Sequence, residues 1–487
     1  MELYLKKIDE VIEQGYYKDT WESLMDFEVP GWFKDAKFGI FIHWGLYSIP
    51  AYSNEWYPRN MYIKGMPAYE HHVKTYGSQK EFGYKDFIPM FTAKNFNPKE
   101  WVRIFKEAGA RYVFPVAEHH DGFQMYKSEI SHFNAYEMGP KRDILGELKE
   151  ALEEEGLVFC TSSHRAEHWF FMCHGKEFDS DVKEPLKRGD FYWPAMPEPD
   201  NKDLFGKPYP TEEYLQDWLI RTCEIIDKYR PKILYFDWWI QHEAFKPYLR
   251  KLIAYYYNRG LEWGEKTAVC YKYDALMFGS GIVEMERGKF ADAKPFYWQT
   301  DTAVANNSWC YTDILDYKTA REIIVELIDV VSKNGNMLLN IGPKGDGSIP
   351  EEDKKILREI GAWLKVNGEA IYESRAWRNS GEGPTKEAEG LFTESGAREY
   401  TSEDIRFTVK GSCLYAAVLK YPEDGIVVIH SLADTKDDGA VFHGITTDVS
   451  ILGFSEKPHW KRTKEGLCIE TQTVKSNLPI VFKVKIN

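Results

Sequence analysis

NPKEWVRIFKEAGARYVFPVAEHHD, residues 97–121, decides the fold. Asn97 can cap a helix, and Pro98 suits its first position, where no N–H is needed. Trp101, Val102, Ile104, Phe105 and Ala108 recur at helical spacing, and Gly109 ends the run. Tyr112 to Ala117 is then a short, almost wholly apolar stretch. A strand apolar on both faces belongs to a parallel sheet covered by helices. It stops at Glu118-His119-His120-Asp121, four polar residues that an ordinary turn does not require.

Outward from this stretch the same unit repeats. Ile144, Leu145, Leu148, Ala151 and Leu152 form a helical face, Gly156 ends it, and Leu157 to Cys160 reads as a strand. Tyr214 to Ile226 is helical, Pro231 breaks it, and Ile233 to Phe236 is extended. Phe245 to Tyr257 predicts a helix and Ala268 to Tyr271 a strand. Ile323 to Val331 and Met337 to Ile341 repeat the pair, and a helix through Leu357, Ile360, Trp363 and Leu364 closes the series. Such alternation over roughly 360 residues predicts an α/β protein with an irregular (β/α)8-type barrel. No GxGxxG or Walker loop follows a strand, which weakens a doubly wound sheet. Residues 272–322 resist assignment. After about residue 372 the pattern becomes short alternating strands with turns at Lys410-Gly411-Ser412 and Tyr421 to Gly425. The expected division is therefore a barrel over 1–372 and a C-terminal antiparallel β-sandwich over 373–487.

The balance of 62 basic against 76 acidic residues gives a net charge of −14. That argues against nucleic acid or an anionic membrane as partner, since both select basic faces. No apolar stretch reaches the length of a membrane span. Seven widely spaced cysteines form neither a disulfide framework nor a zinc motif, and the N-terminus has no apolar run of signal-peptide length. A cytoplasmic protein with reduced thiols is expected. A long acidic barrel is often oligomeric, so a homo-oligomer is also an expectation. Sixteen Trp and 31 Tyr suit a large core, but equally a sugar cleft, where rings cover pyranose faces.

In such barrels the catalytic groups stand at the C-terminal ends of strands. Phe38 to Ile42 ends in His43-Trp44, and the next strand in Glu118-His119-His120-Asp121. Leu157 to Cys160 leads to Ser162-Ser163-His164-Arg165, and Ile233 to Phe236 ends in Asp237-Trp238-Trp239. Four strands thus aim His or Asp at one rim. A carboxylate at Asp237, between aromatics, is costly unless its charge is used. It suits a nucleophile or a general base. The histidines also suggest zinc, but HExxH spacing is absent, and on an extended chain His119 and His120 would point opposite ways. A glycosidase needs a second carboxyl group, and Glu284 and Glu286 are the candidates.

Longer motifs add a resemblance. WFKDAKFGIFIHWGLYSIPAYSNEWYPRNMY (32–62), EHHDGFQMY (118–126), YFDWW (235–239), NNSWCY (306–311) and VSKNGNMLLNIGPKGDGSIPEE (331–352) resemble the α-L-fucosidases of glycoside hydrolase family 29. WLKVNGEAIY (363–372) and DIRFTVKGSCLYAAVL (404–419) extend the likeness into the second domain. The resemblance implies a retaining exo-glycosidase that releases terminal α-L-fucose from a glycan or glycoside, without a metal or other cofactor. It implies Asp237 as nucleophile and His43, Glu55, Trp56, His119 and His120 as sugar-holding residues, with Tyr235 two residues before the nucleophile. Trp298-Gln299-Thr300 resembles the family's Trp-Glu-x-Cys-Thr segment, a register that favours Glu286 over Glu284 as acid/base. Trp298 is expected to pack on the sugar with Trp56. Where relatives carry an aromatic pair, this chain has Ser162-Ser163-His164, and His164 is expected to fill the space of the missing tyrosine. Competing readings are a glycosidase for a galactose-like sugar, a carbohydrate-binding protein without catalysis, and a metal hydrolase. Residues 62–90 and 170–210 carry no readable motif, and the latter is expected to cover the cleft as a lid or subsite wall.

Overall fold

The computed structural model describes all residues except 201–202, 204, 395–397 and 435–441. The expectation for 170–210 therefore falls partly outside the described residues.

Eight parallel strands close into a barrel: β1 (Phe38–Ile42), β2 (Tyr112–Glu118), β3 (Val158–Phe159 and Thr161–Ser163), β4 (Ile233–Phe236), β5 (Ala268–Tyr271), β6 (Ile282–Glu286), β7 (Trp298–Ala303) and β8 (Gly335–Ile341). Each pairs with the next, and β8 returns to β1. Inward and outward residues alternate as the pleat requires. On β1, Phe41 joins Phe114, Tyr235 and Leu338 in the barrel interior, while Ile40 and Ile42 join the larger core beneath the helices. The barrel is thus filled below its rim, and a ligand has space only above it.

The helices form where the apolar periodicity lies. Helix Pro98–Glu107 starts as expected, with the Asn97 side chain accepting the Glu100 N–H at 3.2 Å. Helix Ala320–Ser332 begins in a reciprocal cap, Thr319 against Glu322. At Gly109, φ is +91°, and a β-carbon would stand 2.6 Å from the Tyr372 hydroxyl, so both backbone and space require glycine.

Two stretches differ from their sequence signal. The third strand does not end at Cys160 but resumes at Thr161 and runs to Ser163. Pro115 on β2 has no N–H for the ladder, and the Thr161 hydroxyl instead donates to its carbonyl at 2.7 Å. The segment 272–322, unassignable from periodicity, contains β6 and β7. β7 reads Trp-Gln-Thr-Asp-Thr-Ala yet is buried throughout. Two of its polar side chains are partnered inside the sheet: Gln299 donates to Glu284 at 2.8 Å, and Thr300 to the Met285 carbonyl at 2.8 Å.

After helix Glu351–Asn367 the chain changes architecture. A five-stranded antiparallel sheet, in the order β9 (Arg375–Glu382), β10 (Ile405–Lys410), β11 (Cys413–Val418), β16 (Ile480–Ile486), β13 (Thr446–Ile451), faces a three-stranded one. The second is ordered β12 (Ile426–Ile429), β15 (Leu467–Glu470), β14 (His459–Arg462). Phe407, Leu414 and Phe482 of one sheet and Val427, Ile429 and Leu467 of the other share one core.

Candidate active site

The C-terminal strand ends surround a cleft. His43, Glu55, Trp56, His119, His120, His164, Tyr235, Asp237 and Glu286 all line it. Nine of the ten residues singled out from sequence therefore meet in one place.

Trp298 does not. It opens β7 at the opposite end of the barrel and is fully buried. Its indole donates to the Lys333 carbonyl at 3.0 Å and stands edge-on to Phe290, 5.0 Å between centroids. The first residue of a parallel barrel strand faces away from the catalytic rim, so Trp298 packs the core and cannot cover a sugar there. Trp309 supplies an aromatic wall instead. Its ring stands 5.3 Å from His43, and its backbone N–H donates to Glu55 at 3.1 Å.

His119 and His120 also depart from expectation. β2 ends at Glu118, so the two histidines lie outside the extended chain, and both face the cleft. His120 donates from Nδ1 to the His164 carbonyl at 2.8 Å, and its Nε2 lies 3.3 Å from Asp237. Burial opposes its charge, but Glu167 and Asp237 outweigh it and push its pKa up to about 9. His120 is thus an imidazolium with both nitrogens donating. His164 is its neutral counterpart. Burial pulls it down to about 4 despite Asp237. Nδ1–H then donates to Asp237 Oδ2 at 3.0 Å, and Nε2 accepts from the Ser162 hydroxyl at 3.0 Å. Burial also holds His43 and His119 neutral, well below the usual histidine range. His43 donates to Asn340 at 2.7 Å, which leaves Nε2 as an acceptor for a hydroxyl.

Lys272 lies between the two carboxylates. Its ammonium donates to Asp237 Oδ1 at 2.6 Å and to Glu286 Oε2 at 2.5 Å. Those oxygens can therefore be no farther apart than the two bonds end to end, about 5.1 Å. Burial disfavours the charge on Asp237, but Lys272, His120 and His164 prevail and hold it well below the usual carboxylate range. For Glu286 burial prevails: reinforced by Asp237 and Asp301 against Lys272, it raises the carboxyl to about 7. Neighbouring carboxyl groups pushed apart in this way can serve as base and acid. Glu284, on the same strand, points into the sheet toward Gln299 and does not line the cleft.

Trp238, beside the nucleophile, also lines the cleft, and Lys272, Asp301, Trp309 and Phe392 complete the lining without having been assigned a role from sequence. Lys272 had a readable signal, because it directly follows the apolar run Ala268 to Tyr271. Asp301 had none: it sits in a polar strand and is recognisable only once Tyr235 is seen to donate to it at 2.7 Å. Phe392 reaches the cleft from beyond β9, with its N–H on the Glu286 carbonyl at 2.8 Å. Ligand atoms of His43, His119 and His164, and of His120, His164 and Asp237, lie within 4.8 Å of one another. A cation would fit such spacing only by displacing the hydrogen bonds that already commit His164 and His120.

Known proteins are similar to this chain over nearly its whole length. A family model described as alpha-L-fucosidase matches residues 4–369, and one described as alpha-L-fucosidase C-terminal domain matches 398–487. The human plasma alpha-L-fucosidase is 31% identical over 93% of this chain and 88% of its own length. The human tissue alpha-L-fucosidase is 31% identical over 96% and 90%. The Thermotoga maritima alpha-fucosidase, solved with a mechanism-based inhibitor, superposes with a TM-score of 0.76 at 30% identity, covering 96% of this chain and all of that one. With both domains matched and the strand ends gathered round one cleft, the chain belongs to the alpha-L-fucosidase family of glycoside hydrolases.

Proposed function

We propose that the protein releases terminal α-L-fucose by double displacement with retention of anomeric configuration. The observation that carries this reading is the upper bound of about 5.1 Å between Asp237 Oδ1 and Glu286 Oε2. Retaining enzymes place their carboxyl groups about 5–5.5 Å apart, whereas inverting ones leave about 6.5–9.5 Å for a water.

In this reading His43, Glu55, His119 and His120 bond the sugar hydroxyls, and Trp56 and Trp309 cover its apolar surfaces. The ionised Asp237 attacks C1 and displaces the glycosidic oxygen, which takes the proton of Glu286. The resulting Glu286 carboxylate deprotonates a water, which attacks C1, releases fucose and restores both groups. The negative charge moves from Asp237 to Glu286 in the first step and back in the second. Lys272 bonds both, so the charge is matched by a cation throughout. His164, in place of a tyrosine, anchors the nucleophile from its other oxygen.

Proton NMR of the first product formed from an aryl α-L-fucoside tests the proposal. The α-anomer of fucose is expected, and the β-anomer would overturn retention. A faster α-L-galactoside reaction would favour the galactose-like reading, and loss of activity to a chelator the metal one. The seven cysteines, all free, support a reducing compartment.

A further inference from the structure

Three aromatic rings stand at the mouth of the cleft, outside the residues assigned above to the fucose hydroxyls. Trp238 packs against Tyr273 with centroids 4.8 Å apart, and lies nearly parallel to Phe392, at 11° and 5.9 Å. They come from three parts of the chain: the residue after the nucleophile, the loop after β5, and the C-terminal domain. Water reaches the two outer rings, with Tyr273 44% and Phe392 52% exposed. Their backbones are left-handed, at φ 47° and 55°. Bulky side chains rarely adopt that conformation. It persists where the surroundings impose it, and such positions cluster at binding sites. For Phe392 the restraint is its N–H on the Glu286 carbonyl.

The platform is tied to the proton donor. The Trp238 indole N–H donates to Glu286 Oε2 at 3.1 Å. The departing oxygen must meet the Glu286 carboxyl, so whatever is attached to that oxygen begins there and extends away from the sugar pocket. The cation beside Trp238, Lys272, is already bound to two carboxylates. The platform therefore offers ring faces rather than charge.

We propose that Trp238, Tyr273 and Phe392 form the subsite for the leaving group, and that it takes a neutral pyranose ring, stacked by its apolar C–H face, from the glycan that carries the fucose. The proposal rests on Glu286 being the proton donor. An aryl leaving group offers similar flat chemistry, so the test separates the two. Tyr273→Ala, Phe392→Ala and Phe392→Trp are compared with the unaltered chain on a fucosylated disaccharide, 4-nitrophenyl α-L-fucoside and α-L-fucosyl fluoride, whose leaving group has no ring. The disaccharide-to-fluoride ratio of kcat/KM is expected to fall about tenfold in each alanine variant and to be retained in Phe392→Trp. Inhibition by free fucose, which fills only the sugar pocket, reports that the variants are folded. Should Phe392→Ala not fold, Tyr273→Ala decides alone. A ratio within about twofold of the unaltered chain, or a loss confined to the aryl fucoside, overturns the proposal. Failure of the unaltered chain to hydrolyse fucosyl fluoride overturns the functional reading beneath it as well.

Discussion

Asp237 and Glu286 are carboxyl groups at the ends of β4 and β6, on either side of β5, and what separates them is the count of donors. Asp237 accepts from Lys272, His164 and His120 and stays ionised, whereas Glu286 shares Lys272 and faces Asp301 and Asp237. Asp237→Ala is expected to lose about 10⁴-fold or more of kcat, since nothing else can form the ester. Glu286→Ala is expected to lose less on an aryl fucoside with a good leaving group, and added azide to restore part of it as the azide adduct. Rescue in Glu284→Ala but not in Glu286→Ala would reverse the assignment. Activity should decline as pH rises through about 7, where Glu286 loses its proton. Lys272→Met removes a positive charge from both carboxyl groups and raises both pKa values. The acid and alkaline limbs of the pH–rate profile should therefore both move upward. A loss of rate with an unmoved profile would show that Lys272 only fills space.

At the scale of elements, strand direction decides what a conspicuous residue can do. Trp298 and Asp301 lie on one strand three residues apart, yet Trp298 faces the barrel base and Asp301 the cleft. Gly335 on β8 makes room for the indole: a β-carbon there would stand 2.7 Å from its ring. Trp298→Phe should accordingly lower stability, by about 1–3 kcal/mol from lost packing and one unmatched carbonyl, read as a lower urea midpoint. KM for an aryl fucoside should stay unchanged, and a large rise in KM would return Trp298 to the sugar site.

Across the whole molecule the two domains are joined by buried charge. Asp329, on helix Ala320–Ser332, accepts from Arg406 of β10 at 2.5 Å and from Lys333 at 2.6 Å, and lies 3.2 Å from Lys289. Burial opposes its charge, but these three cations hold the carboxyl far below its ordinary range. A depressed carboxylate contributes stability that is present above its unfolded pKa and lost as pH falls toward the folded value. Asp329→Asn leaves Lys333 without a carboxylate, and Lys289 and Arg406 with only Glu326 and Glu387, and should cost about 3–5 kcal/mol at neutral pH. Denaturant unfolding should show the gap between variant and unaltered chain narrowing below about pH 4. A gap independent of pH would remove Asp329 as the link.

The sequence by itself determined the alternation of helices and apolar strands, the change to antiparallel sheet after about residue 372, and the rim residues His43, His119, His120, His164 and Asp237. These follow from local rules: helical and strand periodicities differ, and a polar residue that directly ends an apolar strand stands out. Only the tertiary structure decided that Lys272 spans two carboxylates, that Asp301 stands beside Glu286, that Trp309 rather than Trp298 lines the cleft, and that Phe392 arrives from beyond the barrel. Closing the barrel brings together strands more than a hundred residues apart. Which side chains then meet depends on register, strand direction and the burial of polar groups inside the sheet, and none of these leaves a period in the chain.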